Sequence, residues 1–174
     1  GDNFGNSVSL DDNRLAVGAA GGDGSGNGAS GTGEVYLYTF SDSAFSGGSL
    51  AATIGEGYSG GNNIDQDQDF LDSFGNSVSL DGDRLAVGAY GGDGSGNSTS
   101  NSGEVYLYTF SNSTFSGGSL AATIGDDYSG GNNIDQTLGS SDDFGYSVSL
   151  DGTLLAVGAP GGDGSGDSTS DSGE

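Results

Sequence analysis

FGNSVSLDGDRLAVGAYGGDGSGN, residues 74–97, is one of three near-copies of the same stretch in this chain of 174 residues. The copies begin at Phe4, Phe74 and Phe144, which gives a fixed period of 70 residues. A fixed period of this size predicts a repeat architecture, in which each unit packs against its neighbours. The predicted units are repeat 1 at 1–70, repeat 2 at 71–140 and a partial repeat 3 at 141–174.

Each complete repeat is predicted to contain four short antiparallel strands. Ser-Val-Ser-Leu alternates small polar and apolar residues, as a strand does. Asp81-Gly82 lies between two apolar runs and predicts a tight hairpin, because that turn requires a positive φ. After the hairpin, Gly18 lies in a strand and leaves room for another backbone or a bulky neighbour. In repeat 1 the predicted strands are 7–10, 15–19, 34–40 and 49–54.

The third strand of each repeat has no face suited to water. In repeat 1, Val35 and Leu37 lie on one face, and Tyr36, Tyr38 and Phe40 lie on the other. An antiparallel strand with one solvated face would alternate apolar and polar residues. We therefore predict an all-β chain of tandem four-stranded antiparallel blades, each covered on both sides, with the tyrosines packed between blades. A β-propeller and an open linear stack of sheets both satisfy this pattern.

Composition excludes several functional classes. The formal net charge is −23 with only two basic residues, which disfavours nucleic acids and anionic membrane surfaces as partners. No apolar run is long enough to span a bilayer, so membrane insertion is not expected. His, Cys and Lys are absent, which removes the usual general bases and nucleophiles. We therefore expect a protein that is not an enzyme.

The motifs resemble the FG-GAP repeat, a family that includes the β-propeller of integrin α subunits and many bacterial surface proteins. The resemblance rests on Phe-Gly, on Ser-Val-Ser-Leu, and on Leu-Ala-Val-Gly-Ala-Pro at 155–160. It implies four-stranded blades and a role in extracellular adhesion or scaffolding. Members of the family often carry a calcium loop between two strands of a blade. Here the corresponding hairpin, Asp81-Gly82-Asp83, is too short to wrap an ion.

The best candidate for a metal site is the loop after the second strand. Its oxygen-bearing residues follow the 1, 3, 5 and 12 spacing of an EF-hand loop, and hard oxygen ligands favour Ca²⁺ over a transition metal. The alternative is a flexible glycine-serine loop whose Asp lies in a turn. The candidate ligands are Asp23, Ser25, Asn27 and Glu34 in repeat 1; Asp93, Ser95, Asn97 and Glu104 in repeat 2; and Asp163, Ser165, Asp167 and Glu174 in repeat 3.

The segment that joins repeats 1 and 2 carries acids at alternate positions: Asp65, Asp67 and Asp69, with Asp72 beyond. Carboxylates spaced in this way could hold a cation. The second joining segment is poorer in acids, so the pattern favours a solvated acidic linker.

These observations predict a non-enzymatic structural or adhesive protein at the cell surface or outside the cell, stabilised by calcium. Its expected partners are copies of itself or further repeats of a longer chain. The alternative is a propeller module that recognises a glycan or a protein ligand. A scaffold should have near-identical loops in every copy, whereas a recognition module should have one divergent blade.

Overall fold

A computed structural model describes residues 1–163 and residue 173. This part of the chain contains β-strands and no helix, so it has no helix that could cross a membrane. The strands are β1 (Phe4–Asp11), β2 (Arg14–Ala19), β3 (Glu34–Thr39), β4 (Ser49–Gly55), β5 (Ile64–Asp65), β6 (Ser77–Asp81), β7 (Arg84–Ala89), β8 (Glu104–Thr109), β9 (Ser119–Gly125), β10 (Ile134–Asp135), β11 (Ser147–Asp151) and β12 (Leu154–Gly158).

Each complete repeat forms one sheet, with its strands side by side in chain order. β1 to β4 form an antiparallel meander, as do β6 to β9, and β11 pairs antiparallel with β12. The all-β fold and the four antiparallel strands per repeat are therefore confirmed. The sheet of each complete repeat also has a two-residue fifth strand, β5 or β10, that pairs parallel with β4 or β9 and was not predicted.

The predicted hairpin turns are present between the first two strands of every repeat. Gly82 and Gly152 have φ near 55°, and Asp12 occupies the same position in repeat 1 with φ 52°. The two arginines that follow these turns each pair with the aspartate that precedes them. Arg14 binds Asp11, and Arg84 Nη2 lies 3.1 Å from an Asp81 oxygen.

The sheets stack face to face, and repeat 2 is covered on both faces. Tyr106 and Tyr108 are 5% and 1% exposed and belong to the core shared with repeat 1. Val105, on the opposite face of β8, packs with residues of repeat 3. The expected burial of both faces, and the packing role of the tyrosines, are thus confirmed for repeat 2. In repeat 1 only the Val35 face is buried, because Tyr36 on the other face has no neighbouring sheet in the described structure.

The Phe-Gly motif of each repeat packs against the Val-Gly-Ala motif of the repeat before it. The Phe74 amide donates a 2.9 Å hydrogen bond to the Thr32 carbonyl, and its ring is fully buried. The Gly75 carbonyl then approaches Gly18 so closely that a Cβ on Gly18 would lie 1.9 Å from it. The space left by Gly18 is therefore occupied by another backbone.

An aromatic ring from the outer loop of repeat 2 completes the junction between repeats 1 and 2. The loop between β8 and β9 inserts Phe115, which is fully buried, between the two sheets. The Arg14 guanidinium lies 5.8 Å from the centre of that ring. Asn62 Nδ2 donates to the neighbouring Thr114 carbonyl at 3.4 Å. Phe115 thus sets the distance and register between the outer parts of repeats 1 and 2.

Serine hydroxyls join the first strands of successive repeats. The amides of Val78 and Leu80 donate 2.9 Å hydrogen bonds to Ser7 Oγ and Ser9 Oγ, which lie 71 residues earlier. The Leu150 amide bonds Ser79 Oγ in the same way at the next junction. The serines of the Ser-Val-Ser-Leu motif therefore accept hydrogen bonds from backbone amides on the edge strand of the following sheet. Those amides would otherwise be unpaired.

Candidate cation-binding sites

The predicted metal loops of repeats 1 and 2 are closed by their own first residue. Asp23 Oδ1 accepts the Gly31 amide at 3.0 Å, and Asp93 Oδ1 accepts the Asn101 amide at 2.7 Å. These bonds hold each loop as a compact turn stacked on the end of its sheet. Asp163 is partly buried at the start of the third loop, but Ser165, Asp167 and Glu174 lie outside the described residues.

The four predicted ligands of each loop lie in different environments. Glu104 is buried and accepts the Tyr128 hydroxyl at 2.9 Å and the Tyr106 hydroxyl. Glu34 is buried in the same way and accepts the Tyr36 hydroxyl. The residues at positions 3 and 5 are exposed at the loop tip: Ser25 and Asn27 in repeat 1, and Ser95 and Asn97 in repeat 2.

Asp93 and Glu104 are nevertheless electrostatically coupled. Burial raises the pKa of Glu104, hydrogen bonds from the Tyr106 and Tyr128 hydroxyls and the Gly94 amide oppose the rise, and the negative charge of Asp93 adds a smaller increase. Asn97 reaches across to the linker, where its Nδ2 donates to Asp69 Oδ2 at 2.6 Å. Three predicted ligands of this loop therefore lie near acids of the linker. Asp93 and Glu104 lie near Asp72, and Asn97 bonds Asp69. Coordination of calcium by these loops stays a prediction.

The linker between repeats 1 and 2 is not solvated throughout, so the interpretation as a solvated linker was wrong at two positions. Asp72 and Gln68 are each 6% exposed. Asp72 Oδ2 accepts the Asp69 amide at 2.6 Å, whereas neither amide atom of Gln68 has a hydrogen-bond partner in the described structure. The same linker position in the next repeat is Leu138, also buried. An apolar side chain can therefore fill this site. The polarity of the Gln68 side chain alone does not show this.

The Asp72 carboxyl has an unusual proton affinity. Burial raises its pKa to about 7, and the carboxylates of Glu104, Asp69 and Asp93 add to the rise, although the Asp69 amide opposes it. A group whose pKa is higher in the folded state than in the unfolded state favours folding while it is protonated. Its contribution is therefore full below the ordinary pKa of about 4 and is lost as the pH rises through 7.

We expect Asp72→Asn to stabilise the protein at pH 8 by about 1–2 kcal/mol, after allowance for solvent screening, and to have little effect at pH 4. Asp67→Asn is the matched control, because it removes the same charge from an exposed position of the same linker. Urea unfolding followed by tyrosine fluorescence at both pH values measures the difference. Equal effects of the two substitutions at pH 8 would show that net charge, rather than the burial of Asp72, governs the response.

Three further aspartates form a cluster that the sequence did not single out. Carboxylate oxygens of Asp126, Asp127 and Asp135 lie within 4.8 Å of one another. Pairing of β9 with β10 places Gly125 beside Asp135, which brings the acids after β9 next to it. The Asp127 amide donates to Asp135 Oδ1 at 3.0 Å, and Thr99 Oγ1 donates to Asp126 Oδ2 at 2.6 Å.

Repeat 1 lacks this cluster. The same positions in repeat 1 hold Glu56, Gly57 and Asp65, so one carboxylate is missing there. The doubled acid Asp126-Asp127 was a visible signal. These two acids meet Asp135 only because of the short parallel strand β10, which the sequence did not predict. Three clustered carboxylates offer hard oxygen ligands of the type that Ca²⁺ prefers.

The model of the FG-GAP repeat family matches residues 1–38, 64–108 and 138–174. These segments cover the Phe-Gly and Val-Gly-Ala motifs of all three copies, and hence the contacts between those two motifs. No curated protein matches the chain.

Proposed function

Because this chain belongs to the FG-GAP repeat family, whose repeats are non-catalytic and typically occur in extracellular or surface proteins, we propose that it serves as a structural segment. In this role the repeats form a stack of blades outside the cell or on its surface, as part of an adhesin stalk, a filament or a matrix scaffold. Its partners are further repeats of the same kind, and it catalyses no reaction.

The observation that supports this proposal is the repetition of one set of contacts at both junctions. A Cβ on Gly88 would lie 1.9 Å from the Gly145 carbonyl, as one on Gly18 would from Gly75. The Phe144 amide bonds the Ser102 carbonyl at 2.9 Å, as Phe74 bonds Thr32. A junction whose Phe-Gly and Val-Gly-Ala backbone contacts recur every 70 residues extends a stack by simple addition, which is what a scaffold requires.

Chains with two, four and six complete repeats test this role. If each repeat gains stability from its neighbours, the free energy of unfolding should rise by a constant increment for each added junction. Urea unfolding measures that increment, and antibody labelling of intact cells that make the protein tests its location. Stability independent of repeat number, or labelling only after cells are permeabilised, would contradict the proposal.

We also propose that calcium stabilises the stack. Support comes from the Asp126–Asp127–Asp135 cluster and from the formal charge of −23, whose self-repulsion bound cations would reduce. The predicted loops are the second candidate location. Their four residues are Asp93, Ser95, Asn97 and Glu104 in repeat 2, with their counterparts in the other repeats.

Calcium titration of the thermal midpoint should separate the two locations. We expect Asp135→Asn to raise the calcium concentration needed for half-maximal stabilisation about tenfold, because it removes one charged ligand. Asp65→Asn is the matched control: Asp65 Oδ1 accepts the Gly57 amide at 2.8 Å, as Asp135 accepts that of Asp127, but it lies in no described cluster of three acids.

Asp93→Asn provides the corresponding test of the predicted loop. If Asp93→Asn shifts the calcium response and Asp135→Asn does not, calcium binds at the loop. A thermal midpoint that is unchanged by calcium and by chelator in the unsubstituted protein would rule out both locations.

A recognition module is the second candidate function, and one observation favours it. Phe70 and Leu71, in the linker between repeats 1 and 2, are 69% and 55% exposed. The corresponding positions of the next linker are Ser140 and Ser141, so the two linkers diverge where they meet solvent. Binding of a glycan or protein ligand that Phe70→Ser and Leu71→Ser abolish would support this alternative.

A further inference from the structure

The linker between repeats 1 and 2 carries a buried amide side chain that no protein group binds. Gln68 is 6% exposed, and neither Oε1 nor Nε2 has a hydrogen-bond partner within the described structure. A buried polar group without a partner costs free energy. Leu138 is buried at the same position of the next linker, so the fold does not require an amide here. The Gln68 side chain is therefore explained only if it meets something other than a protein atom.

The Gln68 amide lies beside a buried carboxylate and its hydrogen-bond donors. Glu104 accepts the Tyr106 hydroxyl through Oε2 and the Tyr128 hydroxyl through Oε1. Burial and the Glu104 and Tyr128 side chains raise the pKa of Tyr106, whereas the Gln68 amide opposes the rise. The amide is thus close to the same hydroxyl that donates to Glu104.

A second buried carboxylate, that of Asp72, lies close to the first. Besides burial, the charge of Glu104 raises the pKa of Asp72, and the charges of Asp69 and Asp93 add to the rise. Asp72 Oδ2 accepts the Asp69 amide at 2.6 Å. Because a carboxylate has about four lone-pair sites, both Asp72 and Glu104 retain capacity to bind a further group.

Negative charge collects at this place while the basic side chains of the chain lie elsewhere. The chain has two basic residues, and both lie at hairpin turns, where Arg14 pairs with Asp11 and Arg84 pairs with Asp81. Buried carboxylates are stable when they are paired or when they coordinate a metal. Carboxylate and amide oxygens are hard ligands of the kind that Ca²⁺ prefers.

We propose that Gln68, Asp72 and Glu104 form a buried calcium site that ties the linker to the sheet of repeat 2. An ion held by Gln68 Oε1 and by the two carboxylates would give the amide a partner and offset the negative charge. The site differs from the Asp126–Asp127–Asp135 cluster and from the exposed tips of the predicted loops. It rests on the calcium stabilisation proposed above and gives it a location inside the protein.

Backbone contacts hold the linker part of this site in place before an ion binds. The Gln68 amide N–H donates to Glu56 Oε2 at 3.3 Å, and the Gly91 amide donates to the Asp72 carbonyl at 3.1 Å. The linker is thus attached to repeat 1 through Glu56 and to repeat 2 through Gly91. Ligands fixed in this way lose little freedom when they bind an ion.

Gln68→Leu tests the site, because it removes the amide oxygen without a change in charge and introduces the side chain that Leu138 has in the next linker. Isothermal titration of the intact chain with calcium should show that binding at one site is weakened at least about tenfold. Gln136→Leu is the matched control, since it makes the same change at an exposed position of the next linker. It should leave the number of bound ions and their affinity unchanged.

The thermal midpoint gives a second readout of Gln68→Leu. In chelator the substitution should raise the midpoint by about 2–4 °C, because an apolar side chain replaces an unpartnered polar group. In calcium this advantage should disappear, since only the unsubstituted protein gains the full stabilisation from the bound ion. The same gain in chelator and in calcium would mean that Gln68 meets a water molecule rather than an ion, and would overturn the proposal.

Asp72→Asn provides a second variant at the same site and should also weaken calcium binding, whereas Asp67→Asn, at an exposed position of the linker, should not. If calcium stabilises the unsubstituted protein but the Gln68→Leu and Gln136→Leu variants bind it equally, this site is refuted and calcium stabilisation at another location stands. If calcium has no effect on the unsubstituted protein, both proposals fail.

Discussion

Gly18→Ala should lower the free energy of unfolding by about 3 kcal/mol or more, because a methyl group at this position collides with backbone rather than with a movable side chain. The added Cβ would lie 1.9 Å from the Gly75 carbonyl oxygen and 3.0 Å from its carbonyl carbon. Gly75 itself has φ 83°, and its own Cβ would lie 2.5 Å from the Glu34 carbonyl. Neither backbone can retreat, so the first two sheets must separate.

Gly28→Ala is the matched control, since a Cβ there meets nothing within 4 Å and its φ is ordinary for an L-residue. Urea unfolding gives the loss of stability. Amide exchange at Val78 and Leu80, which donate to the serine hydroxyls of repeat 1, reports separation of the sheets directly. A stable Gly18→Ala protein with these two amides still protected would show that the junction tolerates the methyl group and that our account of the Val-Gly-Ala motif is wrong.

Phe115→Ala should cost about 3–5 kcal/mol, the range found when a fully buried aromatic ring is removed from a packed core. The ring fills the space between the outer parts of two sheets and covers the Arg14 guanidinium. Its loss would leave a cavity and expose that charged group to a partly apolar pocket.

Phe45→Ala provides an unusually close control. Phe45 occupies the same loop position in repeat 1, has φ 60° against 58° for Phe115, and contacts Phe40 as Phe115 contacts Phe110. Any backbone cost of alanine at positive φ is therefore common to both variants. Since Phe45 is 57% exposed, we expect a change below about 1 kcal/mol by thermal or urea unfolding. Similar losses from the two substitutions would mean that the loop matters for its conformation and not for the junction.

The two arginines of this acidic chain differ in their contacts, because only one of them lies beneath a buried phenylalanine. Each arginine pairs with the aspartate before its turn, but only Arg14 is also covered by a ring and donates to the Gly82 carbonyl at 2.6 Å. Both arginines thus offset a neighbouring carboxylate, but only Arg14 also bonds the following repeat. Within the described structure, acids such as Asp126, Asp127 and Asp135 lie close to one another, which is the reason to expect a response to cations.

The sequence by itself determined the fold class, the 70-residue unit and the identity of most strands. Period-2 alternation in Ser-Val-Ser-Leu and the Asp-Gly turn are local features, and local backbone preferences decide them. The two apolar faces of Val-Tyr-Leu-Tyr also predicted that each sheet needs a neighbour on both sides, because burial of apolar surface depends on composition more than on detail.

Only the tertiary structure decided which parts of the linkers are buried and which acids meet. The sequence pattern predicted that Asp72 and Gln68 are solvated, but the sheet of repeat 2 covers them. Asp126, Asp127 and Asp135 cluster through a two-residue parallel strand that no sequence pattern marks. The role of Phe115 was equally hidden, since Phe45 has the same local sequence and the opposite exposure. Contacts between segments distant in the chain depend on how whole sheets are placed against each other, and local residue preferences carry little information about that placement.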